Sequence, residues 1–229
     1  MDYNFYTDAQ PSDEVGMEVL NIVSDNITDL TLVSVPPSNL LYAVYEWTLQ
    51  AEIGAYMTRI GRIPGEPHHL LVAIDTENDS RVSGFLLYSP VPAEPTACGV
   101  NYMAVRKDYR GSGIASEMVR RMLKHYHHTE LSCTIKLVPF YESLGFQVIG
   151  SHLTQVTMCT LPNGPQGTMA VLNVEEIFNS PDVGIIMNGL VARWGRKAVR
   201  DSQIKLYKQR DQLIFRSERF VQSKLKDAR

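Results

Sequence analysis

From Ile114 to Tyr126 the apolar residues are Ile114, Ala115, Met118, Val119, Met122, Leu123 and Tyr126. Their alternating steps of one and three wind into one broad stripe, which predicts an amphipathic helix over residues 115–126. Arg120, Arg121 and Lys124 fall in its C-terminal half, where a helix dipole favours cations. Upstream, residues 100–105 form an apolar run that reads as a strand. The same logic predicts helices over residues 12–25 and 39–60, the second set by Leu40, Val44, Trp47, Leu49, Ile53 and Met57, with Ser38 as its cap and Gly61 and Pro64 as its stop. Strands are expected at 30–35 (ended by Pro36-Pro37), 69–75, 82–89, 131–138, 146–150 and 156–161, with a helical turn at 139–144. The polar stretch 76–80 reads as a hairpin turn and residues 90–95 as a Pro-rich link. This order of elements predicts an α/β (α+β) fold, a mixed sheet with helices on its faces.

Residues 162–167, Pro-Asn-Gly-Pro-Gln-Gly, form the strongest boundary signal in the chain. They divide it into a body, residues 1–161, and an extension, residues 162–229. In the extension, Asn173-Val174-Glu175-Glu176 resembles a capping box, and helices are expected over 182–197 and 199–226. Val199, Leu206, Leu213 and Phe220 recur every seven residues, as do Tyr207, Ile214 and Val221. Such a stripe requires a partner surface, on this chain's own body or on another chain.

Composition narrows the class. With 229 residues there is ample chain for a core, and no run approaches the ~20 apolar residues of a membrane span. The first residues carry neither a basic segment nor an apolar one of the secretory kind. Cys98, Cys133 and Cys159 are scattered, odd in number and without metal-ligand spacing, which suits strand packing in a reducing cytoplasm. No metal is expected: His125, His127, His128 and Glu130 read as a solvated helix end, and His68-His69 as surface. Charge is divided unevenly. Residues 190–229 carry twelve Lys/Arg against four Asp/Glu, a net of +8, whereas the other 189 residues carry ten against twenty-one, a net of −11. Body and tail therefore face different partners.

The segment Arg110-Gly111-Ser112-Gly113-Ile114-Ala115 lies between the strand and the helix. A Gly-rich loop there aims unpaired backbone N–H groups at one point on a positive helix end, an arrangement suited to phosphate or pyrophosphate. It has neither the Gly-Lys-Ser/Thr ending of a P-loop nor G-x-G-x-x-G. It does match R-x-x-G-x-A through Arg110, Gly113 and Ala115, and Phe140-Tyr141-Glu142-Ser143-Leu144-Gly145-Phe146 follows about thirty residues later. These two markers, in this order, resemble the GNAT N-acetyltransferase superfamily. The resemblance covers about residues 68–160 clearly, 1–67 loosely, and the last sixty or so not at all.

The resemblance implies a splayed mixed sheet, acetyl-CoA as cosubstrate and an amine acceptor, either a small molecule or a protein. Gly111, Ser112, Gly113, Ile114 and Ala115 would bind the pyrophosphate, with Arg110 either binding or bracing the loop. A backbone N–H among Met103, Ala104 and Val105 would polarise the thioester carbonyl. Tyr141 would protonate the departing sulfur, a role that competes with simple packing beside Phe140 and Phe146. The family's carboxylate on the strand before the loop is missing, since that strand offers Asn101 and Cys98; Glu94 lies upstream in the Pro-rich link, and a water held by Asn101 and Tyr102 could serve as the base. The family's asparagine after the following strand is missing too. The acceptor is expected to enter over the first long helix and the Pro-rich link. Three functions stay open: an N-acetyltransferase acting by direct transfer, a GNAT-fold scaffold without catalysis docked through its basic helix, and a nucleic-acid-directed protein. The last would use Arg193, Arg196, Lys197, Arg200, Lys205, Lys208 and Arg210 against phosphates; the apolar stripe instead favours homo-oligomer or larger assembly.

Overall fold

A computed structural model describes residues 1–63, 65–78, 80–162, 164 and 167–227. Seven strands form one sheet: β1 (Asp2–Tyr6), β2 (His69–Asp75), β3 (Arg81–Val91), β4 (Glu94–Val105), β5 (His128–Cys133), β6 (Gln147–His152) and β7 (Gln155–Cys159). Their order is β1-β2-β3-β4-β5-β7-β6. All neighbours run antiparallel except β4 and β5, which are parallel. The connection between those two carries a 3₁₀ turn (Lys107–Tyr109) and a helix, as a parallel pair requires.

The helices are α1 (Asp13–Ser24), α2 (Ile27–Leu30), α3 (Tyr42–Arg59), α4 (Ile114–Leu123), α5 (Val138–Glu142), α6 (Val174–Phe178) and α7 (Pro181–Asp227). Helices α1 and α3 cover one face of the sheet, where Ile22, Ile53 and Tyr56 pack on Leu70, Val72, Phe85 and Leu87. Helices α4 and α5 cover the other, with Ile114, Met118, Met122 and Tyr141 on Leu71, Leu86, Tyr88 and Cys98. Central strands buried on both faces explain why β3 is apolar almost throughout. The Arg106 guanidinium ties α1 to the sheet, donating to the Val82 carbonyl at 2.6 Å and to Glu18 at 2.5 Å.

Several sequence expectations shift. The strand expected at 30–35 does not form: Ile27–Leu30 is a helical turn and the chain then runs irregularly to α3. The apolar run there packs by its side chains against α1 and α3 without pairing its backbone. β1, not anticipated, pairs with β2. Residues 90–95 are no link but the tip of a tight hairpin, with Pro90 inside β3 and Val91 paired to Glu94. The strand after α4 begins three residues early, at His128, and yields to a 3₁₀ turn at Ile135–Leu137. The expected surface histidines separate accordingly. His128 is a buried β5 residue bonded to Glu94 at 3.0 Å. His68 is 1% exposed, and His69 lies in β2 with its Nδ1 3.1 Å from the Tyr126 hydroxyl.

The boundary signal at 162–167 and the helix stop at Pro64 fall partly outside the described residues, as do Asp79 of the expected hairpin turn and the last two residues of the tail. Beyond the boundary, Asn173 is the N-cap of α6 as expected, but its side chain accepts from the Glu175 N–H and donates to the Glu176 carboxylate, in place of the reciprocal backbone bonds of a capping box. The two expected tail helices merge into α7, broken at Gly195, whose φ of 81° suits glycine. Part of the stripe of α7 lies on this chain's own body: Val199 and Leu206 join the α1/α3 core, and Phe220 and Val221 join the α4/α5 core, while Tyr207 stays exposed. Between them α7 runs past edge strand β6, where the Ser217 hydroxyl donates to the Leu153 carbonyl at 2.8 Å. Gln209 fastens the same helix to the carbonyls of Val33 and Ser34. Among the described residues, no helix is long and apolar enough to cross a membrane.

Because Leu206 is 1% exposed, Leu206→Ala should cost about 2–5 kcal/mol of stability in urea unfolding. A loss below about 0.5 kcal/mol, as at ordinary surface sites, would mean that α7 is not seated on the body.

Candidate active site

The site begins where the sheet comes apart. β4 and β5 pair at only three places, Ala97 with His128, Cys98 with Thr129 and Gly99 with Glu130. Past Gly99 they diverge, and Val100 to Met103 on one side and Leu131 to Thr134 on the other line a cleft of about 470 Å³. Helix α3 roofs it with Tyr45, Thr48, Leu49 and Glu52, and α5 contributes Tyr141. The Arg106 N–H donates to the Ser83 carbonyl at 2.9 Å, so alternation along the strand turns Ala104 toward β3 as well. Met103 and Val105 therefore present their N–H and C=O groups to the gap. The Val105 carbonyl indeed accepts from Arg110 Nε at 3.4 Å.

A β-bulge shapes the strand beside the cleft. Leu87 pairs with Tyr102 and Tyr88 with Val100, leaving Asn101 as an extra residue. The bulge turns the consecutive side chains of Asn101 and Tyr102 to the same face, toward α3. Asn101 Oδ1 accepts from the Ser89 hydroxyl at 2.8 Å, and Ser89 Oγ lies 2.8 Å from His68 Nδ1. Asn101 also bonds the Tyr56 hydroxyl, which in turn accepts from the Leu172 N–H at 3.0 Å. Tyr102 bonds Glu52. Buried polar groups so connected hold the bulge in one geometry.

Glu52 is the most unusual group in the cleft. Its side chain is buried, 6% exposed, among apolar neighbours on α3. Burial pushes its carboxyl up to about 7, with the Tyr102 hydrogen bond opposing part of the rise. Among the described residues no Lys, Arg or His pairs with it. A carboxylate poised near neutrality beside an open strand edge is equipped to take a proton. Tyr141 is equipped for the reverse: burial, then the neighbouring Cys133, raises its phenol above the ordinary range, so it keeps its proton at neutral pH.

The Gly-rich loop lies at the rim. Gly111 and Gly113 both take left-handed φ, 81° and 84°, with open space where a Cβ would stand. Gly113 is the N-cap of α4 and supplies no side-chain cap, so the first-turn N–H groups are left for an outside acceptor. Arg110 turns away from that position. Its guanidinium donates to Asn26 and, at 3.3 Å, to Asp29, which also accepts from Lys136 at 3.2 Å. Arg110 thus braces the loop against the turn between α1 and α2, and Asp29 lines the cleft beside it.

Of the residues singled out from sequence, Asn101, Met103 and Tyr141 meet in the cleft, and Val105 with residues 110–115 flank it. Ala104 faces away, its side chain 8% exposed in the α1/α3 core. Glu94, the alternative base, lies at the far hairpin tip of β4 and meets His128. Sequence reasoning missed Glu52. The signal was a carboxylate in the row Leu49-Glu52-Ile53-Tyr56, where the helical period demands apolar residues. Cys98, Cys133 and Cys159 are free and buried, as strand packing predicts. Among the described residues, no group of His, Cys, Asp and Glu is arranged to hold a metal.

Residues 66–148 match the family model of the acetyltransferase (GNAT) domain. The fold agrees. The PaiA N-acetyltransferase of Thermoplasma acidophilum, solved in complex with coenzyme A, superposes with a TM-score of 0.54 at 12% identity, over 69% of this chain and 98% of that one. An acyl-CoA N-acyltransferase from Pseudomonas aeruginosa gives 0.50 at 13% identity, over 70% and 99%. The histone acetyltransferase HPA2 and related acetyltransferase structure from Corynebacterium glutamicum gives 0.51 at 16%, over 72% and 99%. No curated protein matches the chain by sequence. Residues 66–148 are thus similar to the GNAT acetyltransferase domain, and the sheet has the mixed arrangement of that fold, with a long C-terminal helix added to it.

The raised Glu52 carboxyl has a stability consequence of definite sign. Between about pH 4.5 and 7 the folded chain holds a proton that the unfolded chain has lost, so the Glu52 contribution is full below pH 4.5 and drains away as pH rises through 7. Glu52→Gln should therefore raise Tm at pH 8 and leave it nearly unchanged at pH 4.5. Equal shifts at the two pH values would show that Glu52 is not held neutral by the fold.

Proposed function

We propose that the protein transfers an acetyl group from acetyl-CoA directly to an amine. The observation that carries this reading is one cleft that joins an unpaired β4 edge to Glu52 on one side and Tyr141 on the other. The N–H groups at Gly113 and the start of α4 receive the pyrophosphate, and the glycines admit it without a Cβ in the way. The exposed edge at Met103 and Val105 pairs with the pantetheine amides, and an N–H there stabilises the oxyanion formed from the thioester carbonyl.

The amine nitrogen attacks the thioester carbonyl carbon while Glu52 takes the proton it loses. The tetrahedral intermediate collapses with cleavage of the C–S bond, and Tyr141 donates its phenolic proton to the leaving sulfur. Burial keeps this phenol protonated at neutral pH, so its proton is in place when the sulfur leaves. Glu52 fills the place that the missing β4 carboxylate would have taken, reaching the cleft from the helix above. Asn101 acts as a positioning residue, fixing the bulge through Ser89 and Tyr56.

Two measurements test the reading. Calorimetry should show acetyl-CoA binding that Ser112→Glu weakens at least tenfold through repulsion of the phosphates; Ser112 is preferable to Gly113, where positive φ strains any side chain. Undiminished binding in Ser112→Glu would place the cosubstrate elsewhere. In turnover, Glu52→Gln and Tyr141→Phe should each lower kcat by about 10²-fold or more with cosubstrate affinity retained. The log of kcat/KM should rise with pH and level off above about 7 in the wild type only. Turnover that is unchanged in either variant would remove that residue from the mechanism.

A further inference from the structure

The extension does more than dock: it walls one side of the cleft. After Gly167 the chain crosses the hairpin end of the sheet, and Met169 Sδ lies 2.0 Å from the position a Cβ on Gly99 would take. Gly99 is the last residue of β4 paired to β5, so the absence of a side chain there is what lets the strap seat at the head of the splay. The Leu172 N–H then bonds Tyr56 near the C-terminal end of α3. Six residues later, Phe178 meets the Tyr45 ring edge-on at 5.5 Å, near its N-terminal end. Residues 172–178 thus run along α3, and Val174 and Phe178 line the cleft.

This wall defines an acceptor chamber. Glu52 and Tyr45 are seven residues apart on α3, about 10 Å along the axis at 1.5 Å per residue. Between the carboxylate and the Tyr45–Phe178 pair the lining is apolar or neutral: Thr48, Leu49, Val33 and Val174. Among the described residues, no Lys, Arg or His lines the cleft. Among the described residues the other carboxylate lining it is Asp29, which already pairs with Arg110 and Lys136. One carboxylate is therefore available to an incoming cation, with an aromatic and aliphatic chamber behind it.

From this geometry we infer that the acceptor is a monoamine on a compact apolar or aromatic body, its nitrogen at Glu52 and its body against Val174, Phe178 and Tyr45. This inference rests on the transferase reading for its chemistry, though the chamber itself does not need turnover. A polyamine would bury a second ammonium against apolar surface, and a charged peptide would do the same with its neighbouring side chains; either leaves a charge desolvated without a partner.

The test measures binding and turnover separately, on the full chain saturated with CoA. 2-Phenylethylamine should bind at least tenfold more tightly than spermidine or a short lysine-containing peptide. Val174→Trp, which fills the chamber, and Phe178→Ala, which removes its end wall, should each weaken 2-phenylethylamine at least tenfold while CoA affinity and Tm stay near the wild type. No binding of 2-phenylethylamine, a preference for spermidine or the peptide, or indifference to both variants would overturn the inference. Binding without acetylation would uphold the chamber and sink the transferase reading; acetylation of spermidine without 2-phenylethylamine binding would do the opposite.

Discussion

The divergence of β4 from β5 is the constraint on which the rest of the molecule turns. A parallel pair in the middle of a sheet ordinarily continues until the strands end, because each lost rung leaves two backbone groups without partners. Here pairing stops after Gly99 and Glu130. Two devices hold the strands apart. The bulge at Asn101 bends β4 and increases its twist, and the network of Asn101, Ser89, His68 and Tyr56 fixes the bend. On the other side β5 breaks into a 3₁₀ turn directly after Thr134. The polar edge this exposes is what an amide-bearing chain can complete as an extra strand, so the opening and the proposed cosubstrate site are one feature.

The same opening accounts for Glu52. A carboxylate in the core of α3 is tolerable only where it is mostly neutral or where a cation comes to meet it. The gap between the strands supplies the route for that cation, and the Tyr102 hydroxyl supplies a partner meanwhile. Stability is thus surrendered above neutrality at the position where proton affinity is of use, the pattern expected when a functional group overrides the binary pattern of its helix.

Much of this was legible in the chain. The α4 stripe and the Gly-rich loop before it were local features, and local features survive folding: α4 begins at Ile114, and Gly111 and Gly113 take the left-handed conformations the loop requires. Tyr141 stood out because its segment carries its own marker, and its side chain lines the cleft. Failures came where tertiary contacts decided. Residues 30–35 have strand composition but sit under Gln209 and the α1/α3 core, so their carbonyls pair with a side chain from the tail instead of a sheet. His128 looked like part of a polar helix end, yet the parallel pairing with Ala97 draws it into β5. Glu52 could have been suspected from its position in an apolar row, but only the fold shows that its row faces a cleft.

The extension separates what charge and pattern can tell. Its net charge of +8 suggested a surface meant for something outside the chain. The apolar stripe has a nearer answer, since Val199, Leu206 and Val221 lie on the body from which composition had set them apart. A helix seated on the cores of both faces of the sheet and past one edge strand is a rigid anchor. Such an anchor lets the short strap before it, with Met169 on Gly99 and Phe178 on Tyr45, stand as a wall and not as a loose loop. Folds of this kind owe their differences in specificity to what is built around a shared core. Here the added piece lines the cleft through Val174 and Phe178 and makes none of the contacts that brace the Gly-rich loop, so on the proposed reading it can alter what the cleft admits.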